Sequence, residues 1–102
     1  MNDFHIEIKK NVGERDRLVF SGVLTIDHTD EIKARLMQMV STFSSSLNII
    51  IEEVVEFDIS FLQLLHSFMN LMKTREIDVT VSWLTDEEQT KLLRAAGFSK
   101  YL

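Results

Sequence analysis

The stretch Phe57-Asp58-Ile59-Ser60-Phe61-Leu62-Gln63 sets a carboxylate and a hydroxyl two residues apart, between an apolar run and a helical pattern. Two chemistries suit Ser60 there. Ser-x-x-Gln is a capping box, in which Ser60 accepts a bond from the Gln63 backbone and stabilises the helix by about 0.5–2 kcal/mol. A helix amino terminus also favours an anion, since its unpaired N–H groups and its dipole both point outward. A phosphorylated Ser60 would carry about −1.5 to −2 charges. Asp58 would oppose it by about 3 kcal/mol, taking unit charges near 6 Å and an effective dielectric of about 20. Dipole stabilisation of about 0.3–1 kcal/mol offsets part of this, so the fold is expected to survive modification. A partner packed over Ser60 would not tolerate it as well, because burying an unpaired dianion costs several kcal/mol and about 1.4 kcal/mol is tenfold in affinity.

Other reactive groups are scattered. Glu52, Glu53, Glu56 and Asp58 have the composition of a divalent-cation site, but strand alternation divides them between faces and no glycine-bearing ligand loop follows. His5, His28 and His66 form neither a His-x-x-x-His pair nor a Ser/His/Asp spacing. The chain has no cysteine and no glycine-rich phosphate loop. No metal, cofactor or catalytic residue is therefore expected. Asp58 could mimic the acceptor of an aspartate receiver domain, yet the first strand lacks an acidic pair at its end and no rim lysine follows the last strand.

Composition narrows the partners. With 102 residues, 45% hydrophobic, and 11 basic against 16 acidic side chains, the chain reads as one domain over residues 1–102 with a charge of −5. That balance, without a lysine or arginine cluster, argues against nucleic acid and against an acidic membrane surface. Asp3 and Glu7 interrupt any secretory signal and no apolar run approaches about 18 residues, so the reading is a cytoplasmic protein without membrane insertion.

The elements that must position Ser60 follow from periodicity. Phe4, Ile6 and Ile8 alternate with polar residues as a strand, Asn11 to Asp16 reads as a turn, and Leu18 to Gly22 as an antiparallel second strand. Ile32, Leu36, Met39, Val40 and Phe43 then fall at helical spacing from Asp27 onward, and Ser41 to Ser46 reads as a loop. Leu47 to Val55, with three consecutive isoleucines, is expected to be a central strand covered on both faces. A helix from near Ser60 carries a stripe of Phe61, Leu64, Leu65, Phe68, Leu71 and Met72, and Ile77 to Trp83 alternates as a strand with Trp83 as a packing anchor. Thr85 and Glu88 form a capping box for a last helix that Gly97 ends, and the methionines, Met37 among them, read as core filler. The fold expected is α/β, a mixed four-stranded sheet with the first strand antiparallel, three parallel strands and about three main helices. Asp27, Ser60 and Thr85 then share the carboxyl edge of the sheet, where α/β proteins place their sites.

Gly22-Val23-Leu24-Thr25-Ile26 leading into a helix, Asp58-Ile59-Ser60-Phe61-Leu62-Gln63-Leu64-Leu65, and Val79 to Trp83 before a helix ending at Gly97-Phe98 resemble a STAS domain over nearly the entire chain. These domains occur in sulfate transporters and bacterial anti-sigma factor antagonists. The resemblance implies a non-enzymatic module that binds an anti-sigma factor with serine-kinase activity, with Ser60 as the phosphorylated residue. Ile59 and Phe61 flank that serine here, and the Ser-Phe-Leu-Gln-Leu-Leu stretch is similar to stand-alone STAS proteins of chemotaxis and sensory signalling. Asp27, Asp58, Ser60 and Phe61 are the expected partner-binding residues. The alternative expectation is an unphosphorylated accessory subunit of a membrane transporter, and the sequence leaves the oligomeric state open.

Overall fold

Alternation along the strands and the stripe along the helices produce a sheet with helices on one face. The computed structural model describes residues 3–12, 15–43, 45–84 and 86–97, without the side chains of 11 and 12. Strand β1 (Phe4–Val12) pairs antiparallel with β2 (Arg15–Leu24), β2 pairs parallel with β3 (Ser46–Phe57), and β3 parallel with β4 (Asp78–Trp83). The order β1-β2-β3-β4 is that of a mixed four-stranded sheet. Helix α1 (Ile26–Met39) connects β2 to β3, α2 (Ile59–Thr74) connects β3 to β4, and α3 (Glu87–Ala95) follows β4.

The core lies between the inner sheet face and the helices. Leu18, Phe20, Leu47, Ile49 and Ile51 from the sheet meet Ile32, Leu62, Leu65 and Met72, and Leu93 brings α3 into the same cluster. At about 1.5–3 kcal/mol per buried large apolar side chain, this cluster is the dominant stabilising term. The expectation that β3 is covered on both faces is corrected: Ile49 and Ile51 are fully buried, but Ile50 between them is partly exposed on the outer face. Its in-register neighbour there is Val19 of β2.

Further boundaries differ. Asn11 and Asp16, placed in a turn, belong to β1 and β2, while Gly13 lies outside the described residues. Asp16 is wholly buried and forms an ion pair with Lys10 at 2.9 Å. Lys10 also donates to the Thr42 carbonyl and lies 5.6 Å from the centre of the Phe43 ring. Ser41 and Thr42 form a short 3-10 turn, Val40–Thr42, not an open loop. Met37 projects from α1 and is more than half exposed, whereas Met72 is fully buried. Thr85, the expected cap of the last helix, lies outside the described residues; Asp86 caps α3, accepting from the Gln89 N–H at 2.8 Å. Gly97 takes a positive φ of 82° after that helix, as its lack of a Cβ permits.

The carboxyl end of β3 is bent outward. Phe20 pairs with Ile51 but Val23 pairs with Glu56, so β3 gains two residues over β2 in this interval. Glu53 within the bulge adopts φ 50°, and Gly22 on the neighbouring strand adopts φ 89°. Bulges re-aim strand ends. Here Val55 emerges largely exposed at the sheet edge that leads into α2.

Candidate functional site

Helices α1 and α2 begin at the same edge of the sheet, because each follows a parallel strand. Their amino termini converge on one carboxylate. Asp58, the residue between β3 and α2, has extended backbone geometry, and its Oδ1 accepts from the N–H groups of Ser60 at 3.1 Å and Phe61 at 3.4 Å. Its Oδ2 accepts from the Ile26 N–H at 2.8 Å, 32 positions away at the start of α1. Thr25, the residue at the cap position of α1, makes no side-chain capping bond. Asp58 therefore caps its own helix and supplies the missing acceptor for another.

This corrects the role expected of Ser60. It is not the cap of α2 but the second residue of the helix, and its hydroxyl donates to Asp58 Oδ1. Burial alone would raise the Asp58 pKa, but the Ser60 hydroxyl and the backbone N–H groups of Ile26, Phe61 and Ser60 together hold it below the ordinary carboxylate value. The amino ends of two helix dipoles favour the same ionised state.

Ser60 and Asp58 are each partly exposed, and Asp27 in the first turn of α1 is exposed. Phe61 is different. It is 1% exposed and packs edge-on against Phe20 and Trp83, with ring centres 5.4 and 5.9 Å apart. The expectation that Phe61 contacts a partner is corrected: a helical residue next to an exposed one turns about 100° away, and here that direction is the core. Its burial anchors the first turn of α2 and so fixes where the Ser60 hydroxyl sits.

The exposed apolar side chains at this edge are others. Six large apolar side chains are more than half exposed among the described residues, and five of them, Ile26, Val55, Ile59, Leu84 and Leu92, lie on or beside the strand-to-helix junctions. Ile59, Asp58 and Leu92 line a common hollow of about 200 Å³ between α2 and α3. Scattered exposed apolar residues are ordinary; here five of the six gather at the edge that carries Asp58 and Ser60. A sequence signal existed for Ile59 and Leu92, which fall out of phase with the buried stripe of their own helices; Val55 keeps the phase of Leu47, Ile49 and Ile51, and the bulge at Glu53 turns it outward.

No metal-ligand cluster of three or more His, Asp or Glu side chains forms among the described residues, and no helix there is long and apolar enough to cross a membrane. His28 packs against Phe4 with ring centres 5.1 Å apart, while His5 and His66 are exposed.

No protein-family model matches the sequence, and no curated protein matches it. Solved structures do. The phosphorylated form of the Bacillus cell fate determinant SpoIIAA superposes with a TM-score of 0.64 at 13% identity, covering 95% of this chain and 87% of that one. The unphosphorylated form of the anti-sigma factor antagonist SpoIIAA gives a TM-score of 0.68 at 13% identity, covering 95% of this chain and 84% of that one. The mixed sheet with its first strand antiparallel, the helices on one face and the strand-to-helix edge on which Ser60 sits are thus the STAS fold of SpoIIAA.

Proposed function

We propose that the chain is a cytoplasmic, non-enzymatic regulatory module of the anti-sigma factor antagonist kind, which binds a protein partner through the edge around Asp27, Asp58 and Ser60 and is switched by phosphorylation of Ser60. One observation carries this reading. A partly exposed serine hydroxyl is fixed at a helix start by Asp58 and stands among exposed apolar side chains. The likeness to an anti-sigma factor antagonist whose structure includes a phosphorylated form supports it.

The physics of the switch follows from the site. Unmodified Ser60 spends its proton on Asp58 and presents no charge of its own to a visitor. After esterification the donor is gone and a dianion stands beside the ionised Asp58 carboxylate. A surface that seats apolar side chains over this spot would then have to desolvate that charge, which costs several kcal/mol. A serine kinase of the anti-sigma factor type or a chemotaxis signalling protein is the partner class that fits.

Recovery of the protein from its native cell, with mass spectrometry of the Ser60 peptide and identification of bound partners, tests both parts. The partner is expected to bind Ser60→Ala about as well as the parent and Ser60→Asp at least about tenfold more weakly. Equal affinity for the two substitutions would refute the switch.

A further inference from the structure

The junction segments 25–31, 52–60 and 84–89 contain ten of the chain's 16 acidic residues and none of its 11 lysines and arginines. The same edge holds the exposed apolar side chains, so acidic and apolar groups are interleaved there. They meet in a cavity of about 200 Å³ between the bent end of β3 and helix α3, lined by Val55, Glu56, Phe57, Asp86, Glu88 and Leu92 together with Gln89. Its wall is fixed in place, since Gln89 Nε2 donates to the Val54 carbonyl at 3.0 Å and ties α3 to β3. Among the described residues, Glu56, Asp86 and Glu88 form no ion pair with a lysine or arginine of this chain.

We propose that this cavity seats an arginine of the protein partner, presented from an apolar patch on that partner's surface. The proposal rests on the reading of the edge as a partner-binding surface and names what it recognises. An arginine suits the cavity on each count. Its aliphatic stem covers Val55 and Leu92, its planar guanidinium lies by the Phe57 ring, and its five donors meet carboxylates that lack a cation. A metal ion fits poorly, because the acidic groups do not converge as ligands and Val55, Phe57 and Leu92 make the rest of the wall apolar apart from Gln89. A neutral apolar partner would desolvate three carboxylates, of which only Asp86 has a hydrogen bond from its own helix, and this is unfavourable. The surrounding acidic edge attracts a basic surface over the Debye length, so association is accelerated at low salt.

The probe is the tripeptide acetyl-Leu-Arg-Leu-amide, added at millimolar concentration to the isotopically labelled full chain, with its citrulline counterpart as the uncharged control. Saturable amide shifts are expected over residues 55–57 and 86–92, weakening with added salt. The citrulline peptide should bind at least about tenfold more weakly, as should the arginine peptide to the Glu56→Gln, Glu88→Gln double variant. Equal binding of both peptides, no saturable shift with either, or shifts confined to other surfaces would overturn the seat. Shifts at these residues that appear on concentrating the chain without peptide would overturn it in favour of a second copy as occupant. The seat and the switch fail separately, since this experiment contains no partner and leaves Ser60 unmodified.

Discussion

Replacing Asp58 should destabilise the chain far more than replacing an ordinary edge carboxylate. The side chain caps α2 through two N–H groups and holds the Ile26 N–H of α1 at 2.8 Å. Loss of an N-cap costs about 0.5–2 kcal/mol, and loss of a hydrogen bond to a charged acceptor about 1.5–3 kcal/mol. Asp58→Ala should therefore cost roughly 2–5 kcal/mol, out of about 5–15 kcal/mol for a domain of this size. Asp58→Asn has one acceptor oxygen and can serve either α2 or Ile26, so about half the loss is expected. The measurement is urea unfolding followed by the fluorescence of Trp83, the chain's one tryptophan, which packs 5.0 Å from the Phe57 ring centre. Dependence on pH supplies an internal check. The folded pKa lies below the ordinary 3.8, so the contribution of Asp58 is fully present above that value and is lost as pH falls through the folded pKa. The stability gap between parent and Asp58→Asn should be constant at neutral pH and close in that acid range. A gap that persists below it, or an Asp58→Ala variant within about 0.5 kcal/mol of the parent, would refute the double-cap argument.

Two other substitutions test how the frame holds the site. At Gly22, φ is 89° and an added Cβ would run into the Asp3 carbonyl oxygen, so Gly22→Ala should lose on the order of 2–4 kcal/mol in the same unfolding experiment. Lys10→Met should cost about 2–3 kcal/mol by removing the ammonium 2.9 Å from the buried Asp16 carboxylate, and the paired change Lys10→Met with Asp16→Leu should recover much of it.

The parts of the fold legible in the sequence were those set by local repetition. Alternation marked the inward positions of β1 and β4, and the α2 stripe predicted the burial of Leu65, Phe68 and Met72. The three isoleucines of β3 misled because a β-branched run is compatible with one covered face when Ile50 shares the outer side with Val19. At the site, Asp58 and Ser60 are both good cap residues, so their order along the chain does not decide which one caps. The decision comes from the distant Ile26 N–H, which only Asp58 meets, and a contact 32 residues away leaves no periodic trace. The Lys10–Asp16 pair was hidden for a related reason: charged residues beside a glycine read as turn, whereas β2 extends back to Arg15 and puts Asp16 on the inward face with Leu18 and Phe20.

The double cap also bears on how a modification at Ser60 would be transmitted. A dianion near 6 Å from the Asp58 carboxylate repels it by about 5 kcal/mol at an effective dielectric of about 20. Two helix dipoles return at most about 2 kcal/mol each, so the carboxylate is better placed turned away. For α2 this turn is nearly neutral, since phosphate oxygens can accept from its first N–H groups in place of Asp58. For α1 it is a loss, because Thr25 offers no side-chain bond and the Ile26 N–H has no second acceptor within its own helix. The first turn of α1, carrying exposed Ile26 and Asp27, is then the element that responds. Hydrogen exchange at the Ile26 amide should quicken by about tenfold or more when phosphoserine replaces Ser60, while the amides of Phe61 and Leu62 stay protected. Unchanged exchange at Ile26 would mean that modification acts on a partner through charge alone and not through the shape of this edge.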